Sequence, residues 1–313
     1  MKGALALDTS NYTTSVAYYS PREQFQTRKL LDVSSGALGL RQQEALFQHV
    51  KRLPDLVEEL FCQGVDEVIS VGASIAPREV EGSYMPCFLA GSGQGRVLAR
   101  ALNVPFYPWS HQQGHLAAAA WSAGHLELLD VPFLAWHLSG GTTELLKVTP
   151  QGVAVTANRL GGTTDISAGQ LIDRTGVLLG LDFPAGPALD ALAKEAKGIL
   201  KPFPVKAADL QFSLSGMENK VKALAEAGET PAEIARFVLD TLAETVHKVT
   251  VAAQDLYPGL PVLCSGGVAS NSRLRYRLTE FCHAVFAPPE YSTDNAMGTA
   301  VLTYRAWEGA NGQ

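Results

Sequence analysis

His111 and His115 lie four residues apart in the run Ser110-His111-Gln112-Gln113-Gly114-His115. On a helix this spacing sets both imidazoles on one face, where they can share a metal ion. Ser110 is placed to cap such a helix. No Glu follows His111, so the pattern is not the HExxH of metallopeptidases. A third ligand must come from far away in sequence. Asp294, in Ser292-Thr293-Asp294-Asn295, is the candidate, and a helix cap beside Thr293 is its ordinary alternative.

Three turns of small residues sit at expected strand ends: Asp8-Thr9-Ser10, Ser139-Gly140-Gly141-Thr142-Thr143 and Ser265-Gly266-Gly267. Glycine lets backbone approach a ligand closely, and successive N–H groups in such turns form an anion-binding nest. Together they suit a phosphate cradle; singly, each reads as an ordinary hairpin or βα turn. Asp165, Asp173 and Asp190 offer carboxylates to ribose hydroxyls or a metal, or serve as caps. Arg273, Arg275 and Arg277, interleaved with Tyr276, suit nucleic-acid phosphates or, more simply, a solvated helix face. No Ser/His/Asp arrangement has an interpretable spacing.

The elements that must hold these groups read as a duplicated α/β pattern. GALALD, TSVAYY and a stretch from Gln24 to Leu31 predict three strands before a helix from Leu40 to Phe61, which Pro54 should kink or split. EVISVGAS, the Gly-rich AGSGQGRVLARAL and VPFY predict strand, helix, strand. PFLAWHL, ELLKVT and GVAVTAN then repeat strand, turn, strand, strand, and a helix follows from Asp165 to Leu179. Helices are predicted over Leu214–Ala227, Pro231–Leu256 and Asp294–Trp307, a strand at PVLCS, and an inserted loop over Gly198–Gln211. The expected domains are residues 1–130 and 131–313, the second with inserted helices, and the C-terminal helix is free to pack back on the first.

Composition bounds the function. The chain has 313 residues, 46% hydrophobic and 18% charged, which excludes a disordered or collagen-like chain. With 31 acidic against 25 basic residues the net charge is −6, so a wholesale basic coat for nucleic acid is excluded, though not a local patch. Cys62, Cys87, Cys264 and Cys282 form no CxxC pair and read as reduced core thiols. No targeting or membrane segment is visible, and a soluble cytoplasmic protein without membrane partners is expected.

At this point the sequence resembles the TsaD-type threonylcarbamoyl transferases of tRNA modification, formerly classed as O-sialoglycoprotein endopeptidases. The family's HxxxH matches His111 and His115, its TDNA matches Thr293-Asp294-Asn295-Ala296, and its SGG matches Ser139-Gly140-Gly141. Further matches are Gly161, Thr163, Asp165, Gly169, Asp173 with Arg174 for a lysine, Gly180, Pro184, Gly186 and Pro187. GGVxxN is Gly266-Gly267-Val268 to Asn271, followed by Leu274-Arg275. The resemblance implies an actin-like ATPase fold of two α/β halves with a nucleotide between them. It implies a divalent metal, iron or zinc, on His111, His115 and Asp294. It also implies an adenine nucleotide or acyl-adenylate contacting His137, Leu138, Ser139, Gly140, Gly141, Asp173, Gly186, Asp190 and Asn271. His137 stands where some members carry a tyrosine metal ligand, so the resemblance also offers it to the metal and places it near His111, His115 and Asp294.

The function so implied is metal-dependent transfer of a threonylcarbamoyl group from its adenylate to an adenosine of tRNA, with partner proteins of a threonylcarbamoylation complex. The chain departs from the family pattern at Tyr12 and Thr13 in the first turn, at Ala76-Pro77-Arg78 for a GPG loop, and at Ile166, Gln170 and Glu218. Four carboxylates are missing and a lysine has become an acid. These departures suit a divergent paralogue, with tRNA transfer weak or partner-dependent. The alternative is a nucleotide- and metal-binding partner or regulator without transfer activity. An actin-fold small-molecule kinase fits the HxxxH and Asp set less well, and a glycoprotease lacks a visible general base or nucleophile.

Overall fold

The computed structural model describes residues 2–10, 12–33 and 40–311. They form two compact units, Met1–Val131 with Pro150–Thr156 and Thr293–Gln313, and Pro132–Thr149 with Ala157–Ser292.

The first unit contains β1 (Lys2–Asp8), β2 (Thr13–Tyr19), β3 (Gln24–Leu30), α1 (Gln42–Phe61), β4 (Glu67–Ala76), α2 (Phe88–Leu102), β5 (Phe106–Ser110), α3 (His111–Ser122) and the chain's last helix, Met297–Asn311. Its sheet runs β3-β2-β1-β4-β5, with β1 antiparallel to β2 and parallel to β4. All of β1 after Lys2 is buried, as expected of a strand covered on both faces. Leu5, Leu7, Val16, Val71 and Ala73 from the sheet meet Leu53, Leu56 and Leu60 of α1 in one core. Pro54 neither splits α1 nor ends it. Pro54 and Val50 both lie on the exposed side, where water can satisfy the carbonyl that proline leaves without a donor.

The second unit contains β6 (Phe133–Leu138), β7 (Thr143–Gln151), β8 (Ala154–Thr163), α4 (Ala168–Leu178), α5 (Gly186–Lys194), β9 (Ala207–Ala208), β10 (Gln211–Phe212), α6 (Ser215–Glu226), α7 (Pro231–Leu256), β11 (Val262–Ser265), α8 (Ser272–Cys282) and β12 (Val285–Phe286). The tip of the β7–β8 hairpin is grouped with the first unit. The last helix is α9. The second sheet runs β12-β11-β6-β7-β8-β10-β9, with β6 antiparallel to β7 and parallel to β11. Read from β8 to β12, it repeats the first sheet's order. The stretch over 198–211, expected as a loop, holds β9 and the start of β10, which pair and extend the sheet from β8.

Two further readings need correction. Cys87, Cys264 and Cys282 are buried, but Cys62, just past α1, is exposed. The arginines of α8 do not simply face solvent: Arg273 pairs with Asp240, Arg277 with Glu244, and Arg275 lies 4.8 Å from the Phe286 ring centre. The acids belong to α7, so the first two pairs pin α8 to α7. Among the described residues no helix is long and apolar enough to cross a membrane.

Candidate functional site

The site begins with the cap of α3. The Ser110 hydroxyl accepts the Gln113 N–H at 3.2 Å, and the Gln113 side chain accepts the Ser110 N–H at 2.8 Å, a reciprocal capping box. The helix therefore starts at His111, and His111 and His115 share a face. Helix α9 packs against α3 and against β1, β2 and β4. A Cβ on Gly298 would sit 1.8 Å from the Gly114 carbonyl oxygen, so the two helices cross backbone to backbone only because residue 298 is glycine. This crossing brings the N-terminal approach of α9, with Asp294, to the two histidines.

There His115 Nε2 lies 2.8 Å from His111 Nε2 and 3.3 Å from Asp294 Oδ1, while His111 Nε2 lies 3.4 Å from Asp294 Oδ1. Asp294 is not the helix cap: Asn295 Oδ1 accepts the Met297 N–H at 3.0 Å. The donor set fits a divalent cation. Zinc bonds of about 2.0–2.1 Å in tetrahedral geometry put ligand atoms about 3.3 Å apart, close to both carboxylate contacts. Only the imidazole pair has to open, by about half an ångström. Burial would raise the Asp294 carboxyl, but hydrogen bonds and charge from His111 and His115 hold it far below the usual carboxylate range. Burial would lower His111, but the carboxylates of Asp8 and Asp294 push it up to about 10.

Asp8, read from the sequence as part of a candidate phosphate turn, lies instead against His111. It is 1% exposed, and its Oδ2 lies 2.9 Å from His111 Nδ1. Its other oxygen accepts the Ser10 N–H at 2.9 Å. The first small-residue turn therefore turns inward. Thr9 donates to the Cys87 carbonyl at 2.9 Å and accepts the Gly91 N–H at 3.0 Å, tying β1 to α2. An acid closing the apolar run GALAL was the available signal, since a buried carboxylate needs a partner.

The other candidate residues lie in the second unit. The Ser139 N–H donates to the Thr142 carbonyl at 2.8 Å, and the Ser139 hydroxyl accepts the Thr142 N–H at 3.1 Å, closing the turn. A Cβ on Gly140, Gly141, Gly186 or Gly267 would meet nothing within 4 Å, so backbone there faces open space. Behind the turn, Gly169 of α4 abuts Gly140, and the Ser167 hydroxyl donates to the Gly140 carbonyl at 2.5 Å. His137 and Leu138 lead into the turn from β6; His137 is half-buried, whereas Leu138 is fully buried in the core of this unit. Asp173 accepts the Ala185 N–H at 2.9 Å, next to Gly186. Asp190 accepts from Asn271 Nδ2 at 2.7 Å and from the Ser272 N–H at 3.1 Å, while Asn271 Oδ1 caps α8. Asp165 accepts N–H groups from Leu214 at 2.8 Å and Ser215 at 3.3 Å, at the start of α6. Partial burial would raise Asp165, but the Ser213 hydroxyl and these N–H groups hold it well below the usual range. Arg174 pairs with Glu218, so these two departures from the family pattern meet each other.

Two halves with one strand order and a His, His, Asp cluster define an actin-like ATPase-fold protein with a candidate metal centre. Solved structures carry the fold at low identity. Full-length HypF in its phosphate- and nucleotide-bound form superposes with TM-score 0.59 at 13% identity, over 99% of this chain and 47% of that one. The activator of the 2-hydroxyisocaproyl-CoA dehydratase from Clostridium difficile, with bound ADPNP, gives 0.54 at 12%, over 99% and 97%. Lmo2764, a putative N-acetylmannosamine kinase from Listeria monocytogenes, gives 0.52 at 12%, over 99% and 100%. The family profile TsaD, tRNA N6-adenosine threonylcarbamoyltransferase, matches residues 37–301. The tRNA N6-adenosine threonylcarbamoyltransferases of two strains of Thermus thermophilus are each 35% identical over 268 residues, 83% of this chain and 77% of theirs. The chain belongs to the TsaD family of tRNA threonylcarbamoyltransferases, which are acyltransferases.

Proposed function

We propose that this protein transfers a threonylcarbamoyl group from threonylcarbamoyl-adenylate to an adenosine of tRNA, and that His111, His115 and Asp294 hold one divalent metal. The observation that carries the reading is the convergence of those three ligand atoms, all within 4.8 Å of one another, in a member of this family. Two imidazoles and a carboxylate suit zinc or iron. Such a cation supplies Lewis acidity toward a carbonyl oxygen. The turn at 139–141 takes the adenylate phosphate on its N–H groups, and Asp173 takes ribose hydroxyls. Gly186, Asp190 and Asn271 border the adenosine, and His137 and Leu138 flank the phosphate turn. The open space at Gly140, Gly141 and Gly186 supports this placement.

In the reaction the exocyclic amine of the tRNA adenosine bonds to the carbamoyl carbon. The bond from that carbon to the phosphate oxygen breaks, AMP leaves, and the amine gives up one proton. No serine or cysteine nucleophile takes part. The buried Cys264 thiol is pushed up by its burial, which keeps it protonated and unreactive.

One observation favours the second reading, a nucleotide- and metal-binding partner without transfer activity. Glu218 neutralises Arg174, and Asp240 and Glu244 neutralise Arg273 and Arg277, so these three arginines offer tRNA little net positive charge. The test is incubation of the pure protein with unmodified tRNA, threonine, bicarbonate, ATP and a separate adenylate-forming enzyme, with and without family partner proteins. Mass spectrometry of the nucleosides reads the outcome. Modified adenosine with partners present supports transfer; none under any combination, with nucleotide binding intact, supports the second reading.

A further inference from the structure

Asp8 stands at the meeting point of three elements far apart in sequence. Its Oδ1 accepts the Ser10 N–H at 2.9 Å and the Ser10 hydroxyl. Its Oδ2 accepts the Ser74 hydroxyl from β4 and faces His111 Nδ1 on α3 at 2.9 Å. The Ser74 oxygen lies 3.3 Å from Thr299 Oγ1 on α9, the helix that Asp294 precedes. Asp8 is not among the three residues whose ligand atoms converge.

We propose that Asp8 is the positioning residue of the metal centre, holding the His111 proton on Nδ1 so that Nε2 is the ligand atom. This rests on the metal reading given above. An ionised carboxylate only accepts hydrogen bonds, so the ring nitrogen facing it must be the one that carries hydrogen. The other nitrogen, Nε2, is the one turned toward His115 and Asp294. Carboxylate partners of metal-bound histidines fix the tautomer and raise the basicity of the ligand. Ser10 and Ser74 fix the carboxylate in turn, and β1 and β4 are paired in one sheet, so the anchor is rigid.

The substitution Asp8→Asn separates this role from a packing role. It preserves shape, and the Ser10 N–H, a donor only, keeps the amide oxygen on its own side. The amide NH2 then faces His111 Nδ1 and donates to it, which moves the ring proton to Nε2 and blocks the ligand atom. Cobalt(II) is the probe, with affinity from competition titration and geometry from visible d–d absorption, and circular dichroism checks the fold. The expected result is that Asp8→Asn stays folded and binds cobalt about 10–100-fold more weakly, with an altered spectrum. Wild-type affinity and an unchanged spectrum in a folded Asp8→Asn would overturn the proposal. Should the variant not fold, nitrogen-15 NMR of histidine-labelled, zinc-loaded wild-type protein decides. Zinc on His111 Nε2 with hydrogen on Nδ1 is expected, and the reverse arrangement overturns the proposal. Failure of the wild-type protein to bind cobalt at all would instead overturn the metal reading, and this proposal with it.

Discussion

Asp294 sits where a helix cap would, just before α9, yet Asn295 takes the cap and leaves the Asp294 carboxylate to His111 and His115. Its place beside the two histidines was legible only through a motif, because residue type and position alone favour the cap. The histidine pair was legible from spacing, since a capped helix fixes which residues share a face. Asp8 was not: its partner His111 lies 103 residues away, and nothing local separates a buried anchor from a phosphate turn. Asp173 also has a structural duty, because one of its oxygens holds the Ala185 N–H beside Gly186. Asp173→Asn keeps an acceptor for that N–H but loses the charge offered to ribose hydroxyls. Calorimetry with ATP and with an acyl-adenylate analogue should show binding weakened by about 1–3 kcal/mol, the size of a hydrogen bond to a charged group. Unchanged affinity for both would remove Asp173 from the nucleotide site.

The crossing of α3 and α9 sets the geometry of the ligands more than any single bond does. A methyl group at residue 298 would strike the Gly114 carbonyl oxygen and lie 2.5 Å from the Ala118 N–H nitrogen, so both helices must part. Gly298→Ala should therefore cost about 1–3 kcal/mol, lower the melting temperature and abolish stoichiometric metal binding. A variant that melts and binds metal like the wild type would contradict this placement of α9. Helix α6 depends on a borrowed cap: Leu214 at its start has no capping side chain, and Asp165 accepts the Leu214 and Ser215 N–H groups instead. A carboxylate whose pKa is lowered on folding stabilises the fold above its unfolded pKa, and that contribution fades as pH falls through the folded value. Asp165→Asn should thus be less stable than wild type at neutral pH, by about 1 kcal/mol as for a lost cap. The gap should shrink below about pH 4, and melting curves across pH would show it. A gap that is constant with pH would mean that the charge contributes nothing. At this scale the sequence predicted most helices and strands from apolar periodicity. It left open whether Pro54 splits α1, which the exposed face decides, and it missed the strands within 198–211, which pair at a sheet edge.

Both halves of the molecule repeat one strand order, which the sequence showed only as a recurring strand and turn pattern. The order itself is a long-range property: β11 pairs with β6 more than a hundred residues after it, and β12 adds on to β11. Charge acts at the same scale. The chain carries −6, and Glu218 pairs with Arg174 where the family pattern has two basic residues. Glu218→Lys changes the charge by two units and frees Arg174, so non-specific tRNA binding should tighten. The slope of log affinity against log salt should steepen by about one for each further phosphate neutralised. An unchanged slope would place this surface away from tRNA. The central claim joins the metal centre to tRNA modification, and the most direct measurement is the yield of threonylcarbamoyladenosine in tRNA. Wild-type and Asp294→Ala proteins would be compared with the adenylate and family partners supplied, and bound metal would be quantified in the same samples. The account predicts modified adenosine from metal-loaded wild-type protein, and loss of both metal and product in Asp294→Ala. Equal product from a folded, metal-free Asp294→Ala protein would contradict it.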